Sequence, residues 1–224
     1  MDGDFADQVD ALSALAEPAR RALYLYVAGQ PQPVGRDQAA VEVGLPRHTA
    51  KFHLDKLVEE GLLVTEYRRL SGRSGPGAGR PAKLYRRSDR QLAVTVPQRD
   101  YELVGRVLAA GVEDAARSGT SVVDAVHRAA AAAGRQMCAA AGDVRTLDDV
   151  ATVLAGQGYE PRVQGGVMTL ANCPFHALAA DHTALVCGIN LHLLAAALGA
   201  LGHPASARLD PAPGRCCVVV TAEA

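Results

Sequence analysis

Four of the five cysteines fall between residue 173 and the end of the 224-residue chain: Cys173 in ANCPF, Cys187 in LVCGIN, and the adjacent Cys216 and Cys217 in GRCCVVV. Thiolates are soft metal ligands and good nucleophiles, so their placement decides what chemistry they can share. Cys173 begins a loop after a strand-like run. Cys187 lies in a long helical stretch from about His182 to Leu201. Cys216 and Cys217 open a final strand-like run. Three separate elements each supply a thiol, a pattern that suits a site built by tertiary convergence, as a metal ion or cluster requires. None of the spacings is a compact CxxC. Neighbouring residues in a strand face opposite ways, so one of Cys216 and Cys217 is expected at a shared site. Cys216 is preferred because it shares its face with Val218 and Val220. Cys138, in an alanine-rich helix, is expected to be a packing residue. His176, Asp181 and His182 follow Cys173 closely and could complete a coordination sphere. His192 stands at i+5 from Cys187, about 140° away around a helix, and is poorly placed.

A second group of residues points to different chemistry. Residues 61–90 hold eight basic side chains (Arg68, Arg69, Arg73, Arg80, Lys83, Arg86, Arg87, Arg90) against Glu66 and Asp89, whereas the whole chain has a formal net charge of −1. A sharp basic segment inside a slightly acidic protein is an electrostatic footprint for a polyanion. Just before it, Pro46 to Glu60 has helical periodicity, with Ala50, Leu54 and Leu57 on one face. The opposite face carries His48, Lys51, Phe52 and Asp55, with Arg47 at the leading edge. Arg47, His48 and Lys51 can reach base edges or phosphates, and Phe52 can meet a thymine methyl. Thr49 and Lys56 flank this face and suit phosphate contacts. Arg73 and Arg80 sit in the loop SGRSGPGAGRPA and could lie on the backbone or in a minor groove. His53 falls on the inner side and is expected to be a satisfied packing histidine.

The elements that must position these groups follow from periodicity and punctuation. Phe5 to Ala16 and Pro18 to Ala28 read as helices, the second opened by proline and closed by Gly29. The loop QPQPVG leads to a short helix, Arg36 to Val43, which Gly44 ends. The helix from Pro46 follows, then LLVTEYRRL and KLYRRS as two strands around the glycine-rich loop. Helix, glycine turn, helix and basic hairpin is the order of a winged helix-turn-helix. The composition changes near residue 90, which places domain boundaries at 1–90 and 91–224, with QLAVTV as the first strand of the second domain. There, Tyr101 to Ala116, Ser121 to Ala141 and Leu147 to Gly156 read as helices. GYEPRV and VMTLA read as a hairpin around Gln164, Gly165 and Gly166. The fold class expected is α+β: an N-terminal winged helix-turn-helix and a C-terminal α+β sensing and dimerisation domain.

The stretch from Val34 to Ser88, above all HLDKLVEEGLL and GRPAKLYRRS, resembles the winged-helix repressors of the ArsR/MarR-like superfamily. NCPF, LVCGINLHLLAAALGALG and ARLDPAPGRCCVVV are similar to the C-terminal half of the SufR-type iron–sulfur regulators, which carry the same N-terminal domain. That resemblance implies a homodimeric repressor that binds an inverted-repeat operator in double-stranded DNA. It also implies an iron–sulfur cluster, [4Fe–4S] by expectation, in each subunit, and control of cluster-assembly genes. Carried over, Cys173, Cys187 and one of Cys216 and Cys217 become cluster ligands. The alternatives are zinc or thiol-based redox sensing at the same cysteines, or a small organic effector bound by the C-terminal domain.

Composition limits the remaining options. Hydrophobic residues make up 49% and charged residues 21% of the chain, which fits a globular protein and not a disordered one. No run of about 18 apolar residues is free of charges or helix breakers, so no membrane span is expected. The acidic N-terminus, MDGDFADQVDAL, does not read as a secretory signal. A cytoplasmic location is therefore expected, where thiols are metal ligands or free more often than disulfides. With no GxGxxG, Walker loop, HExxH or nucleophile–base pair, the chain is not expected to be an enzyme.

Overall fold

Proline and glycine set the element boundaries of the first ninety residues. A computed structural model describes residues 2–69, 81–139 and 141–222, which divide into two units, Met1–Val94 and Thr95–Ala224. The architecture is mixed α+β with two small antiparallel sheets.

In the first unit, α1 (Asp2–Ala14) precedes α2 (Pro18–Ala28), whose first turn is capped by the Glu17 carboxylate accepting from the Ala19 and Arg20 N–H groups at 3.2 and 2.6 Å. Those bonds satisfy orphan donors of the helix start. Strand β1 (Val34–Gly35) leads into α3 (Arg36–Val43). Gly44 then takes φ +67°, a left-handed cap that favours glycine, and the chain turns into α4 (Arg47–Glu59). Strands β2 (Leu63–Arg68) and β3 (Ala82–Arg87) pair antiparallel, and β1 adds to the other edge of β3. Leu23, Val27, Ala50, Leu54, Leu57, Leu63 and Tyr85 form the buried centre. Strand β1 lies inside what the sequence presents as the loop QPQPVG. Two residues carry no periodic signal, and Val34 is held by pairing with Tyr85.

QLAVTV is a correction to the sequence reading. Residues 91–96 form no strand. Alternation records only a propensity, and a strand needs a partner edge. Instead Leu92 packs against the first unit's core, the Ala93 N–H bonds the Gln8 side chain at 3.1 Å, and Val96 is exposed.

The second unit holds α5 (Tyr101–Ser118), α6 (Val122–Met137), α7 (Leu147–Ala155), β4 (Pro161–Gln164), β5 (Val167–Leu170), α8 (His176–Asp181), α9 (Thr183–Leu201), β6 (Ala205–Leu209) and β7 (Val218–Ala222). Its sheet runs β4-β5-β7-β6, antiparallel throughout. Helix α9 is central, with Val186, Ile189, Leu193, Leu194 and Leu198 all buried in the core. By length and composition alone it could cross a bilayer, with a mean hydropathy of 2.0. The helix runs over the stretch expected from the sequence, about His182 to Leu201. Gly188 and Gly199 sit inside the helix without breaking it. Gly188 serves packing. A Cβ on Gly188 would meet His127 Nε2 at 2.8 Å, and one on Gly134 of α6 would collide with the Leu193 carbonyl.

Gly134→Ala should therefore force α6 and α9 apart and destabilise the protein by about 1–3 kcal/mol. Gly105→Ala, at a helix position where a Cβ meets nothing within 4 Å, should stabilise it by about 0.5–1 kcal/mol. Guanidinium unfolding of the two variants should show shifts of opposite sign.

Candidate functional site

The residues singled out above fall into two groups, one on each unit. On the first unit, α4 buries Ala50, Leu54 and Leu57. Arg47, His48, Lys51 and Phe52 are exposed, and Thr49 and Lys56 are half-exposed. Asp55 ties this helix to the hairpin. Its Oδ1 accepts from Lys83 Nζ at 2.6 Å and from the Tyr85 hydroxyl at 3.0 Å. Burial pushes the Asp55 carboxyl up, but those two bonds and the charges of Lys83 and Lys51 outweigh it and hold the group below the usual aspartate range. Asp55 is thus a positioning group for β3 and not part of a free face.

The cations of this surface already have partners. Arg47 Nε lies 2.5 Å from Asp37, and Lys56 pairs with Glu59 and Glu60 at 3.3 and 2.8 Å. Exposed pairs of this kind hold a side chain weakly, so a polyanion can replace the carboxylate. Arg73 and Arg80 lie outside the described residues. His53 is half-buried and packs against Phe52, but the satisfied role expected for it is incomplete. Its Nδ1 has no hydrogen-bond partner and stands 3.7 Å from Glu17 Oε2.

The second group is the largely buried cysteine cluster, and here the structure changes the expected pairing. Cys187 on α9 and Cys217 form a disulfide across 30 residues of sequence, with their Cα atoms 6.4 Å apart. The expectation of free or metal-bound thiols alone is corrected. The adjacent Cys216 and Cys217 go to different partners. Cys216 and Cys217 precede β7 instead of opening it, because the Cys216 N–H bonds Leu170 O while Cys217 O accepts from Asp210. This turn lets both side chains face other thiols. Cys217 meets Cys187, and Cys216 is hydrogen-bonded to Cys173. Cys138 is buried at the end of α6, where burial pushes its thiol up.

The Cys173–Cys216 pair is held by a buried polar chain that the sequence reading did not include. Asn190, fully buried on the otherwise apolar α9, donates to Cys216 Sγ at 3.1 Å and accepts from the Tyr159 hydroxyl at 2.5 Å. An asparagine in the middle of LVCGINLHLLAAALG was the available signal. Cys216 donates to Cys173, which holds the Cys173 thiol below its ordinary range against the opposing push of burial. The Phe175 N–H and the Arg99 charge act in the same direction. The same bond, together with burial, pushes Cys216 upward.

A cavity of about 270 Å³ opens beside Cys173, lined among others by Arg99, Glu160, Asn172, His176 and Arg215. Of the histidines considered for coordination, His176 lines this cavity, His182 is exposed between α8 and α9, and His192 stacks on His127 at 4.2 Å. Among the described residues, no three His, Cys, Asp or Glu side chains gather as a metal-holding group. The four sulfurs stand as two pairs. By chemistry the donor set suits a soft metal centre, and three of its thiols could ligate together only after the Cys187–Cys217 bond is reduced.

No family model, no curated protein and no solved structure matches the chain.

Asn190→Leu should cost about 1–3 kcal/mol by leaving the Tyr159 hydroxyl buried and unsatisfied. Adding Tyr159→Phe should recover most of that loss. Unfolding free energies for the double-mutant cycle measure the coupling.

Proposed function

We propose that the protein is a cytoplasmic transcriptional regulator, a homodimeric repressor that binds an inverted-repeat site in duplex DNA. In this reading residues 1–90 are a winged helix-turn-helix, α4 is the recognition helix, and β2, β3 and their connection form the wing. The observation that carries the reading is the division of α4. One face is buried on the core, and the other presents Arg47, His48, Lys51 and Phe52 beside a hairpin rich in arginine. Phosphate contacts from Lys51, Thr49 and Lys56 would set the register, while Arg47 and His48 would read base edges.

Residues 91–224 are proposed as the sensing and dimerisation domain, with an iron–sulfur cluster held by Cys173, Cys187 and one of Cys216 and Cys217. Cysteines of three elements lie in this unit as two pairs, Cys173 with Cys216 and Cys187 with Cys217; this donor set, with the resemblance to SufR-type regulators, supports that assignment. A bound cluster would supply an oxygen- and iron-sensitive cross-link among those elements. The chain's own contribution is the Asn190 N–H aimed at Cys216, which fixes that sulfur's orientation. Control of cluster-assembly genes follows from the same resemblance. A second reading is thiol–disulfide sensing with no metal, and the Cys187–Cys217 bond specifically favours it. Zinc on the same thiols is a third outcome of the metal analysis.

Two measurements test these readings. Lys51→Ala should weaken duplex binding and lower the salt slope of log affinity by about 1. An unchanged slope would remove α4 from the interface. Anaerobic reduction followed by iron and sulfide supply should give a brown protein with matching iron and sulfide. A colourless product with bound zinc, or with no metal, would reject the cluster.

A further inference from the structure

The cavity beside Cys173 has a chemistry that the reading above does not use. Arg99 reaches in from the segment before α5. Its Nη1 is bonded to Asn172 Oδ1 and, at 3.0 Å, to the Gln98 carbonyl. Among the described residues it has no carboxylate partner. Arg215 lines the far side, with Nη2 bonded to Asp210 at 3.0 Å. Glu160, exposed and also without an ion-pair partner among the described residues, lines the same space. Asn172 cannot turn away, because its amide nitrogen is bonded to Gln98 O and Gly158 O at 3.0 and 2.6 Å. Two cations and one anion thus line the space beside a thiol whose hydrogen-bonded neighbour is Cys216. The volume, about 270 Å³, is just under the range of about 300–1,000 Å³ for small-molecule sites, so the occupant is small.

We propose that this cavity binds the disulfide form of a small amino-acid-type thiol, carboxylates toward Arg99 and Arg215 and ammonium toward Glu160, and that Cys173 is the thiol it modifies. Cys173 sulfur attacks one sulfur of the bound disulfide. A Cys173–ligand disulfide forms, the ligand's own S–S bond breaks, and one free ligand thiol leaves carrying the proton that Cys173 gives up. Cys216 sulfur then attacks Cys173 sulfur, forming Cys173–Cys216 and releasing the second ligand thiol with the Cys216 proton. Two protein thiols are oxidised, one ligand disulfide is reduced to two thiols, and no other oxidant is required. The step deepens the reading of residues 91–224 as a thiol-bearing sensor, in its metal-free form. DNA affinity and iron content do not enter its readout, so its failure and the failure of that reading are separable.

The test uses the full-length protein with two small probes of the same disulfide chemistry: cystine, which carries two carboxylates and two ammoniums, and cystamine, which lacks the carboxylates and is cationic only. Acid-quenched samples are read by intact mass and peptide mapping. Charge steering in a lined cleft is worth about tenfold or more in rate, so cystine should react about tenfold faster than cystamine. The first adduct should map to Cys173, and in Cys216→Ser it should accumulate there. Arg99→Gln should slow cystine far more than cystamine and so abolish the preference, a charge-selective loss that a merely structural role of Arg99 would not produce. Should Cys216→Ser fail to fold, early quenching of the wild-type reaction maps the same adduct. Equal rates for the two probes, or a first adduct on any other cysteine, would overturn the proposal.

Discussion

The second unit depends on one close approach, the backbone of α6 at Gly134 against the backbone of α9 at Leu193. Where a Cβ would collide, the two helices come near enough for His127 to pack over Gly188 and stack on His192. That contact fixes the rotation and height of α9. Cys187 and Asn190 ride on the same helix, so their positions are set by it. Asn190 then reaches the turn before β7 and Cys187 reaches Cys217. The geometry of the thiols is therefore a consequence of helix packing.

Burying a polar amide in an apolar helix is costly unless every group on it is bonded. Asn190 meets that condition through Tyr159 and Cys216. The arrangement holds Cys216 in one orientation and leaves Cys173 as the thiol on the cavity side. Cys187, one turn before Asn190 on α9, and Cys217, next to Cys216, are joined to each other. One set of four cysteines thus has two kinds of chemistry available: a soft donor set when reduced, and two-electron exchange when paired.

Much of the first unit was legible in the sequence. Pro18 and Gly29 bound α2, Gly44 ends α3, and the spacing of Ala50, Leu54 and Leu57 marks the inner face of α4, all as found. These features are local, and local chemistry suffices to set them. What was not legible depends on distant partners. Strand β1 exists because β3 offers an edge, and β6 because β7 does. QLAVTV alternates like a strand but has no edge to join. The partners of Cys216 and Cys217 follow from a turn held by Leu170 and Asp210, which no spacing rule reveals. Asn190 was readable only as an anomaly in an apolar run.

The central claim is that the state of the thiols in the second unit governs DNA binding by the first. Fluorescence anisotropy on the DNA upstream of the protein's own gene, with one preparation held anaerobically reduced, loaded with iron and sulfide, or oxidised, tests it most directly. The account predicts affinities that differ by about tenfold or more between states, the range of ordinary allosteric coupling, and no such difference in a Cys173→Ser variant. The same affinity in all three states would contradict it.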